Sequence, residues 1–444
     1  MQHIVIVGNG IAGVTTARHI RKRSDDKITI VSGETDHFFS RTALMYIYMG
    51  HMKYEHTKPY EDWFWEKNKI ELKRAWVKSV DFDGKALEFE GGEKLSYDKL
   101  VLATGSKSNK FGWPGQDLDS VQGLYNFQDL ELMEKNTVGI KHAVVIGGGL
   151  IGIEMAEMLH SRNIPVTYLV RESHFWNGVI PNQEAKLIDQ HIRENHIDLR
   201  LETELKEIID DGNGRVKAVV TNKGETIECQ FVGLTVGVSP NVDFLKDSSL
   251  EIQRGIMVNE YLETNIPDVY AAGDCAQRRD PITNRRPIEA VWYTGRMMGE
   301  SLAKTLTGEK TTYDPGYWFN SAKFFDIEYQ TYGHVWAQLK DNEQEFYWEH
   351  ESGKKCMHFV FDKSSRKFLG VNTFGIRLRH HSFNKWMQDE KSIEYVLEHL
   401  KDANYDPEFY KAHEQEIIDQ FNQENNTSVK PKSKSWKRIL AYAQ

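Results

Sequence analysis

Cysteine is scarce in this sequence: only three occur in 444 residues, at Cys229, Cys275 and Cys356. They lie far apart, none belongs to a Cys-x-x-Cys pair, and an odd number gives no even disulfide framework. We therefore expect a protein of the reducing cytoplasm and not a secreted protein held together by disulfide bonds.

A long apolar run and an excess of basic charge are also missing. No stretch approaches the roughly 18 apolar residues that indicate a membrane span. The first strand is predicted to begin near His3, which leaves no room for a signal peptide before it. The 56 basic and 65 acidic residues give a net charge of −9, and this balance disfavours a general nucleic-acid binder. We expect neither a membrane span nor a nucleic-acid partner.

Apolar residues are abundant enough for large cores. Hydrophobic residues make up 40% of the chain and charged residues 27%, which is an ordinary globular composition. At roughly 100 to 200 residues per domain, the length predicts two to four domains.

Two stretches share one pattern, an apolar β-branched run followed by a glycine-rich turn and a helical segment. They are IVIVGNGIAGVTTARHI, from Ile4, and AVVIGGGLIGIEMAEMLH, from Ala143. Each is followed by a further strand-like run, ITIV from Ile28 and VTYLV from Val166. Each stretch therefore predicts a β-α-β unit, whose parallel strands are buried on both faces.

Both turns have the spacing Gly-x-Gly-x-x-Gly that binds a dinucleotide. The glycines are Gly8, Gly10 and Gly13 in the first turn, and Gly147, Gly149 and Gly152 in the second. The first glycine permits a tight turn, the second lets a pyrophosphate approach the backbone, and the third allows close helix–strand packing. The pyrophosphate then meets unpaired N–H groups at the positive end of the helix. Two such sites predict two cofactors brought face to face for redox transfer.

The ordered motifs of residues 1–315 resemble those of one family. They are GNGIAG, LVLATGS, VVIGGGLIGIEMA, GLTVGVSPN and VYAAGDCA. The set is similar to that of the pyridine nucleotide-disulfide oxidoreductases, flavoproteins with two dinucleotide-binding domains. The resemblance implies an α/β fold with two Rossmann-like domains, FAD on the first unit and NADH or NADPH on the second. It also implies an FAD domain in two parts, 1–114 and 241–315, around an NAD(P) domain at 115–240.

The resemblance assigns roles in FAD binding to individual residues. Gly8, Gly10 and Gly13 are expected to contact the pyrophosphate, Glu34 the adenosine ribose, Arg41 the phosphates, Thr104 and Gly105 a neighbouring part of the cofactor, and Asp274 the ribityl chain. Glu34 lies about twenty residues after the first turn, which is where a carboxylate can hold ribose hydroxyls.

The resemblance also assigns residues to the nicotinamide cofactor. Gly147, Gly149 and Gly152 are expected to hold the dinucleotide, Glu154 to lie near the nicotinamide and flavin N5, and Gly237 to be a further cofactor contact. After VTYLV, Arg171 could pair with a 2′-phosphate, whereas Glu172 could accept the ribose 2′-OH. A solvated arginine at the strand end fits Arg171 equally well, so the sequence leaves NADH or NADPH open.

The stretch SRTALMY, at residues 40–46, departs from the family pattern. Disulfide reductases of the family carry a redox cysteine near the flavin, and this chain has no cysteine before Cys229. Thiol chemistry needs a thiolate poised at the flavin, so the N-terminal half cannot supply it. Cys275, which follows the flavin-binding aspartate, is interpreted as a packing residue, and Cys229 and Cys356 as core residues.

SRTALMY is more similar to the flavoproteins of ferredoxin, rubredoxin and nitrite reduction, which carry Arg-x-x-Leu-Ser-Lys. Arg41 and Leu44 match, whereas Tyr46 stands at the lysine position. A phenol can donate one hydrogen bond to Glu154 or to the flavin, but it brings no positive charge. Tyr46 and Glu154 are therefore the candidate catalytic residues.

The pattern changes beyond about Pro315, where an α+β region is expected at residues 316–444. The runs EFYWEHE, CMHFVFD and FLGVNTFG predict an antiparallel meander, and helices are expected from about Asn384 to Asn422. The resemblance implies that this region is an interface domain of a homodimer. Its basic end, VKPKSKSWKRILAYAQ, is interpreted as a solvated or loosely docked tail.

Two further segments have an unusual composition, a pair of histidines and a run rich in aromatic residues. His380 and His381 are adjacent and not four residues apart, so we predict no metal site there. The aromatic segment WFWEKNKIELKRAW, at residues 63–76, is expected to pack a helix onto the FAD domain.

The sequence therefore predicts an FAD-dependent NAD(P)H oxidoreductase. Hydride would pass from nicotinamide C4 to flavin N5, and electrons would leave to a separate small redox protein of the ferredoxin or rubredoxin type. An oxidase, peroxidase or small-molecule reductase is the alternative enzyme, although the missing cysteine disfavours peroxidase and thiol reductase. A flavin-bearing redox sensor or interaction protein is the alternative from another class, which the basic tail would support.

Overall fold

The structure is a computed structural model that describes residues 1–282, 285–405 and 411–432. Its residues divide into two compact units. Unit 1 comprises Met1–Ser173 and His196–Pro315, and unit 2 comprises His174–Asn195 and the described part of Gly316–Gln444.

The described residues of unit 1 contain two strand–helix–strand stretches, each followed further along the chain by a run of consecutive strands. The helices are α1 (Ile11–Arg21), α2 (Leu44–Tyr48), α3 (Trp63–Lys67), α4 (Phe127–Asn136), α5 (Leu150–Ser161), α6 (Asn182–Glu194), α7 (Trp292–Leu306), α8 (His380–Gln388), α9 (Ile393–Glu398) and α10 (Glu414–Asn425). The strands of unit 1 are β1 (His3–Val7), β2 (Lys27–Ser32), β3 (Ile70–Arg74), β4 (Val77–Asp81), β5 (Ala86–Phe89), β6 (Lys94–Ser96), β7 (Lys99–Leu102), β8 (Ser106–Ser108), β9 (Val121–Gln122), β10 (Ala143–Ile146), β11 (Val166–Leu169), β12 (Asp198–Arg200), β13 (Leu205–Asp210), β14 (Val216–Thr221), β15 (Thr226–Glu228), β16 (Phe231–Leu234), β17 (Val238–Pro240), β18 (Ile256–Val258), β19 (Val269–Ala271) and β20 (Ala276–Arg278). The strands of unit 2 are β21 (Phe319–Phe324), β22 (Ile327–Gly333), β23 (Glu343–Glu349), β24 (Cys356–Asp362) and β25 (Phe368–Phe374).

The first parallel sheet of unit 1 has the strand order β19-β7-β1-β2-β3. Strand β1 is apolar and buried over Ile4 to Val7, as expected for a central strand that is covered on both faces. It pairs in parallel with β2 on one side and with β7 on the other. Strand β19 comes from much later in the chain and joins the sheet beside β7. Because carboxyl ends of parallel strands meet at one edge, the segments after β1, β2, β7 and β19 converge there.

The second parallel sheet of unit 1 has the order β12-β11-β10-β16-β9. Its central strand, β10, pairs in parallel with β11 and β16, and all four of its residues are buried. The second predicted β-α-β unit is therefore confirmed as β10, α5 and β11. The fold class, an α/β protein with Rossmann-type parallel sheets, is confirmed as well.

The aromatic segment at residues 63–76 forms the predicted helix over part of its length only, and Trp65 of that helix packs in the core of the first sheet. Helix α3 covers only Trp63–Lys67, and Ile70–Arg74 forms strand β3, which extends the first sheet by pairing in parallel with β2. The physical reason is that apolar Ile70 and Leu72 alternate with charged Glu71 and Lys73, which is the period of a strand. The aromatic residues of α3 obscure this strand pattern in the sequence.

Unit 2 is built on an antiparallel sheet of order β21-β22-β25-β24-β23. The predicted meander is confirmed, because β24 pairs antiparallel with both β23 and β25. Strands β21 and β22, which form a hairpin at the other side of the sheet, were not predicted. Helices α8, α9 and α10 agree broadly with the expected helical region. Residues 433–444 of the basic tail lie outside the described residues.

A charged cluster lies in the interior of unit 2. The His358 ring is fully buried, with Nδ1 3.0 Å from a Glu184 carboxylate oxygen and Nε2 2.9 Å from Glu345. Asn372 donates to both Glu184 oxygens, at 3.1 and 2.9 Å. Burial alone would lower the pKa of His358, but the two carboxylates outweigh it and raise that pKa to about 9. The imidazole is therefore a buried cation between two carboxylates.

No helix among the described residues is both long and apolar enough to cross a lipid bilayer.

Candidate active and cofactor site

Each glycine of the first glycine-rich turn is explained by a different feature of its surroundings. Gly8 has φ +114°, and a Cβ there would lie 2.1 Å from the Ala103 carbonyl oxygen. A Cβ on Gly13 would lie 2.1 Å from the Gly8 carbonyl oxygen. A Cβ on Gly10 would instead meet no neighbouring atom within 4 Å among the described residues. The turn is closed against its own sheet and open only at Gly10, which is where a pyrophosphate would approach.

The second turn repeats this geometry. Gly147 has φ +115°, and a Cβ there would lie 2.5 Å from the Thr235 carbonyl oxygen. A Cβ on Gly152 would lie 2.4 Å from the Gly147 oxygen, whereas the Cβ position of Gly149 is open to 4 Å in the described part of the chain. Gly10 and Gly149 are also the N-caps of α1 and α5, so no side chain competes for the first N–H groups of either helix. Both cradles fit a dinucleotide pyrophosphate.

The two residues predicted for the adenosine ribose and the phosphates form an ion pair with each other. Arg41 Nη1 donates to Glu34 Oε1 at 2.8 Å and Nη2 donates to Oε2 at 2.6 Å. Arg41 Nη1 also donates to the Tyr125 carbonyl oxygen at 2.6 Å, and the Phe127 N–H donates to Glu34 Oε1 at 2.9 Å. The bidentate geometry fixes both side chains. Their individual roles toward FAD remain predictions from the resemblance.

Tyr125 connects this ion pair with the predicted ribityl ligand, Asp274. Its ring lies 4.7 Å below the Arg41 guanidinium, and its hydroxyl donates to Asp274 at 3.0 Å. Burial raises the pKa of the Tyr125 phenol, so it keeps its proton and remains a donor. Burial also raises the pKa of Asp274, and the bond from Tyr125 partly offsets this effect. Sequence reasoning missed Tyr125, because no local motif marks a residue 84 positions from Arg41.

Thr104 and Gly105 lie in the same group. Thr104 Oγ1 donates to the Asn241 carbonyl oxygen at 2.8 Å, and the Asn241 N–H donates to the Gly105 carbonyl at 2.9 Å. Gly105 has φ +68°, and a Cβ there would lie 2.9 Å from the Tyr125 hydroxyl. The chain therefore brings together its two predicted FAD segments at the end of β7.

Glu154 lies half-buried on α5, next to the second glycine turn. Burial, reinforced by the neighbouring Glu157 carboxylate, raises the pKa of Glu154 to about 7. A carboxyl group with this pKa can hold or release a proton near neutral pH, which suits a residue beside a redox centre.

Helix α2, which begins at Leu44, packs against α5. The Arg162 guanidinium lies 3.6 Å from the Tyr48 ring centre, and Arg162 Nε donates to the Tyr48 carbonyl at 2.9 Å. The Tyr48 hydroxyl shares a hydrogen bond of 2.7 Å with Thr137. The Arg162 contacts hold α2, whose first residues belong to SRTALMY, against the end of the helix that carries Glu154.

A cavity of about 450 Å³ opens beside SRTALMY. Hydroxyl, aromatic and basic side chains meet in it. Its lining consists of Phe38, Ser40, Thr42, Ala43, Tyr46, Met52, His56, Thr57, Lys58, Pro59 and Trp292. The Tyr46 ring stacks on that of His51, with centres 6.2 Å apart; its hydrogen bond to Glu154 or flavin stays a prediction.

The three cysteines are free and fully buried. Burial raises the pKa of Cys229 to about 12 and also raises the pKa values of Cys275 and Cys356. The Cys275 thiol donates to the Leu102 carbonyl oxygen at 3.3 Å. These protonated, buried thiols are compatible with an enzyme that has no redox-active disulfide.

The residues expected to distinguish the two nicotinamide cofactors lie after β11. Arg171 Nε donates to Glu172 Oε1 at 2.9 Å. Glu172 Oε2 lies 3.4 Å from the Cβ position of Gly148, within the second glycine turn. The Glu172 side chain is 34% exposed and that of Arg171 is 72% exposed. The carboxylate therefore points toward the turn, and the arginine is mostly in solvent. Gly237, with φ +88°, accepts from the Asn109 N–H at 3.1 Å after β16.

One group of described side chains has ligand atoms close enough for a metal ion. His350, His413 and Glu416, in unit 2, have such atoms within 4.8 Å of one another. The Lys355 ammonium lies 3.2 Å from His413 Nε2, and the Ser352 N–H donates to His350 Nδ1 at 3.1 Å. Each contact occupies one nitrogen of its imidazole ring, and the positive charge of Lys355 beside His413 disfavours a metal cation there.

Comparison with known proteins agrees with this geometry. Residues 2–299 match the model of the pyridine nucleotide-disulphide oxidoreductase family. An NADH oxidase of Methanocaldococcus jannaschii is 30% identical over 73% of this chain and 74% of its own length. A rubredoxin-NAD(+) reductase of Acinetobacter baylyi is 29% identical over 70% of this chain and 80% of its own length.

Other comparisons extend the likeness without fixing the activity. A nitrite reductase (NAD(P)H) of Bacillus subtilis is 31% identical over 63% of this chain, and the match spans 35% of that longer protein. The solved NAD-dependent persulfide reductase of A. fulgidus superposes with a TM-score of 0.83 at 21% identity, covering 96% of this chain and 84% of that one. This structural likeness shows the fold.

The chain belongs to the pyridine nucleotide-disulphide oxidoreductase family. It is an FAD-dependent NAD(P)H oxidoreductase, and its cofactors are FAD and NADH or NADPH.

Proposed function

We propose that this flavoenzyme passes electrons from a nicotinamide cofactor, through its flavin, to a separate small redox protein of the ferredoxin or rubredoxin type. The observation that carries the proposal is the composition of SRTALMY, where Ser40, Thr42 and Tyr46 line the cavity and no cysteine is present. With all three thiols buried elsewhere, the flavin is the exit point for electrons. The rubredoxin-NAD(+) reductase among the relatives supports this acceptor class.

In this scheme the protein residues bind and orient the two cofactors and supply charge beside them. When bound, FAD supplies the exchange between two-electron and one-electron chemistry. The open positions at Gly10 and Gly149 admit the two pyrophosphates. Glu154, with a pKa of about 7, holds a proton or a negative charge beside the nicotinamide.

We also propose NADH as the preferred donor. Glu172 directs its carboxylate at the second glycine turn, where it can accept the ribose 2′-OH and repel a 2′-phosphate. Arg171, the residue that could pair with such a phosphate, donates to Glu172 instead.

The domain division and the homodimer are part of the same proposal. The pairing of β19 with β7 supports an FAD domain built from residues 1–114 and 241–315, around an NAD(P) domain at 115–240. Residues 316–444 would then form the dimer interface domain, and three buried free thiols suit a reducing cytoplasm. Light scattering on the purified protein tests the dimer, because a monomer mass contradicts it.

Anaerobic double-mixing stopped flow tests the acceptor. The holoprotein is first reduced with NADH and then mixed with rubredoxin, with a plant-type ferredoxin, or with oxygen. The proposal predicts that one of the two proteins reoxidises the flavin faster than oxygen does. Reoxidation by oxygen that outpaces both proteins contradicts it.

One observation favours a second candidate, reduction of a small molecule. The 450 Å³ cavity at SRTALMY has room for one, and a relative is an NADH oxidase. The variant Thr42→Trp would fill this cavity. If this second function holds, T42W abolishes turnover with oxygen or a small acceptor while flavin reduction by NADH continues; unchanged turnover excludes it.

A further inference from the structure

Trp76 lies at the edge of the first sheet where Glu34 is found. Its side chain is 49% exposed. It follows β3, which pairs in parallel with β2 so that Arg74 lies opposite Ser32. The Ala75 N–H donates to the Ser32 carbonyl oxygen at 3.0 Å. Trp76 is therefore a neighbour of the residues that directly follow β2.

The indole covers one of those residues, Gly33. A Cβ on Gly33 would lie 2.1 Å from Trp76 Cδ2 and 2.5 Å from Cε3. Only a residue without a side chain permits this approach. Gly33 is buried beneath the ring, although the ring itself remains half-exposed. The Glu90 N–H donates to the Trp76 carbonyl oxygen at 3.1 Å, which fixes the backbone of Trp76.

Glu34, the next residue after Gly33, retains capacity for one more hydrogen bond. Its Oε1 accepts from Arg41 and from the Phe127 N–H, and its Oε2 accepts from Arg41. Because a carboxylate oxygen accepts two bonds, Oε2 can still accept from one ribose hydroxyl. An adenine attached to that ribose would then meet the side chains that lie beside Glu34.

We propose that the indole of Trp76, seated on Gly33, is the stacking surface for the adenine of FAD. The adenosine half would then be recognised by a carboxylate on its ribose and an aromatic face on its base. Every base has a π-face, and stacking on tryptophan makes a measurable contribution to affinity. This inference rests on FAD binding at the first glycine turn, and it concerns Trp76 as a positioning residue for the cofactor.

Trp63 offers a matched control within the same unit. Its side chain is 59% exposed on α3, and the Lys67 ammonium lies 5.0 Å from its ring centre. Replacing it removes an exposed tryptophan without touching Gly33.

Calorimetric titration of the full-length apoprotein tests the proposal. The probes are FAD, ADP, which retains the adenosine, and FMN, which lacks it. The variants are Trp76→Ala, Trp76→Phe and Trp63→Ala, and the melting temperature of each apoprotein reports folding. We expect W76A to weaken the binding of FAD and ADP by about 10-fold, equivalent to about 1.4 kcal/mol, and to leave the affinity for FMN unchanged. W76F should retain most of the affinity, and W63A should match wild type.

Two results would overturn the proposal. The first is that W76A binds FAD and ADP with affinities within about twofold of wild type, because the loss of a stacking contact should reduce the affinity by more than that. The other is an equal loss for FMN and FAD, which would indicate damage to the fold. If wild type binds FMN too weakly to measure, the ADP titration decides alone. Failure of the acceptor proposal would leave these affinities unaffected, so the two outcomes are distinguishable.

Discussion

Arg41 forms a bidentate ion pair with Glu34, with N–O distances of 2.8 and 2.6 Å. The two side chains are 29% and 13% exposed, so the pair is largely removed from water. If Arg41 contacts the FAD phosphates as predicted, its positive charge there is already paired with the Glu34 carboxylate. Replacing Arg41 by a neutral residue makes this region more negative, and replacing Glu34 makes it more positive.

The first prediction follows from this pairing. In Arg41→Gln, the Glu34 carboxylate is left uncompensated near the pyrophosphate, so FAD affinity should fall by roughly 10-fold or more, because hydrogen bonds to charged groups contribute about 1.5–3 kcal/mol. In Glu34→Gln, the freed Arg41 charge can serve the phosphates, so the loss should be smaller. The double variant should bind FAD better than R41Q alone, which is the coupling expected of a paired charge.

Titration of the apoproteins with FAD measures these three affinities. Low and high salt serve as the control, since an electrostatic difference shrinks as salt screens it. A loss in E34Q greater than that in R41Q would contradict the assigned roles.

The second prediction concerns Glu154 and the pH dependence of flavin reduction. Its carboxyl group has a pKa of about 7, so it is neutral below that pH and anionic above it. At the predicted position beside the nicotinamide, the anion would stabilise the positive charge that develops on that ring as hydride leaves. The rate of flavin reduction by NADH should therefore rise with pH through about 7, by roughly an order of magnitude, or about 1.4 kcal/mol.

Stopped-flow reduction between pH 5.5 and 8.5 measures this profile. Glu154→Gln should remove the rise, and Glu157→Gln, which removes a repelling charge, should move its midpoint to lower pH. A profile in E154Q that matches wild type shows that another group is responsible.

The third prediction concerns the nicotinamide cofactor. Because the Glu172 carboxylate faces the second glycine turn, kcat/KM should favour NADH over NADPH by about 10-fold or more, since several kcal/mol are typical of like-charge contacts at recognition sites. Glu172→Gln should reduce this preference chiefly by improving NADPH. Exposed Glu228, in the same unit, supplies a control as Glu228→Gln. Wild-type preference for NADPH would refute the role of Glu172.

These site residues differ in how far the sequence could specify them. The glycine turns were predictable, because spacing alone dictates a tight turn, an open position and a close helix approach. The Tyr125 contact with Asp274 was not, because it joins residues 149 positions apart that only the sheet order brings together. Strand β3 was obscured by the aromatic residues before it, and β21 carries a mixed pattern of polar and apolar residues that gives weak periodicity. Strand β22 alternates with a period of two over Ile327 to Thr331, so its pattern was present in the sequence.

The fourth prediction concerns the buried cluster of unit 2. The pKa of His358 rises from 6.5 to about 9 on folding. Its stabilising effect is therefore complete below pH 6.5 and is lost as the pH rises through 9. His358→Gln leaves the Glu184 carboxylate without its cation, which should cost about 3 kcal/mol near neutral pH.

Melting temperatures of wild type and H358Q between pH 6.5 and 9.5 check this account. The difference in melting temperature between the two proteins should be large at pH 6.5 and should shrink toward pH 9.5. His381→Gln, at an exposed position, should follow wild type throughout. A constant difference across the pH range would mean that His358 is not the buried cation.

The central claim is that the flavin alone stores electrons between the nicotinamide donor and the acceptor. Anaerobic titration of the holoprotein with NADH, followed by flavin absorbance, tests it most directly. Since no thiol pair lies at the cofactor, one equivalent of NADH per FAD should bleach the flavin completely. A requirement for two equivalents would reveal a second two-electron centre and contradict the account.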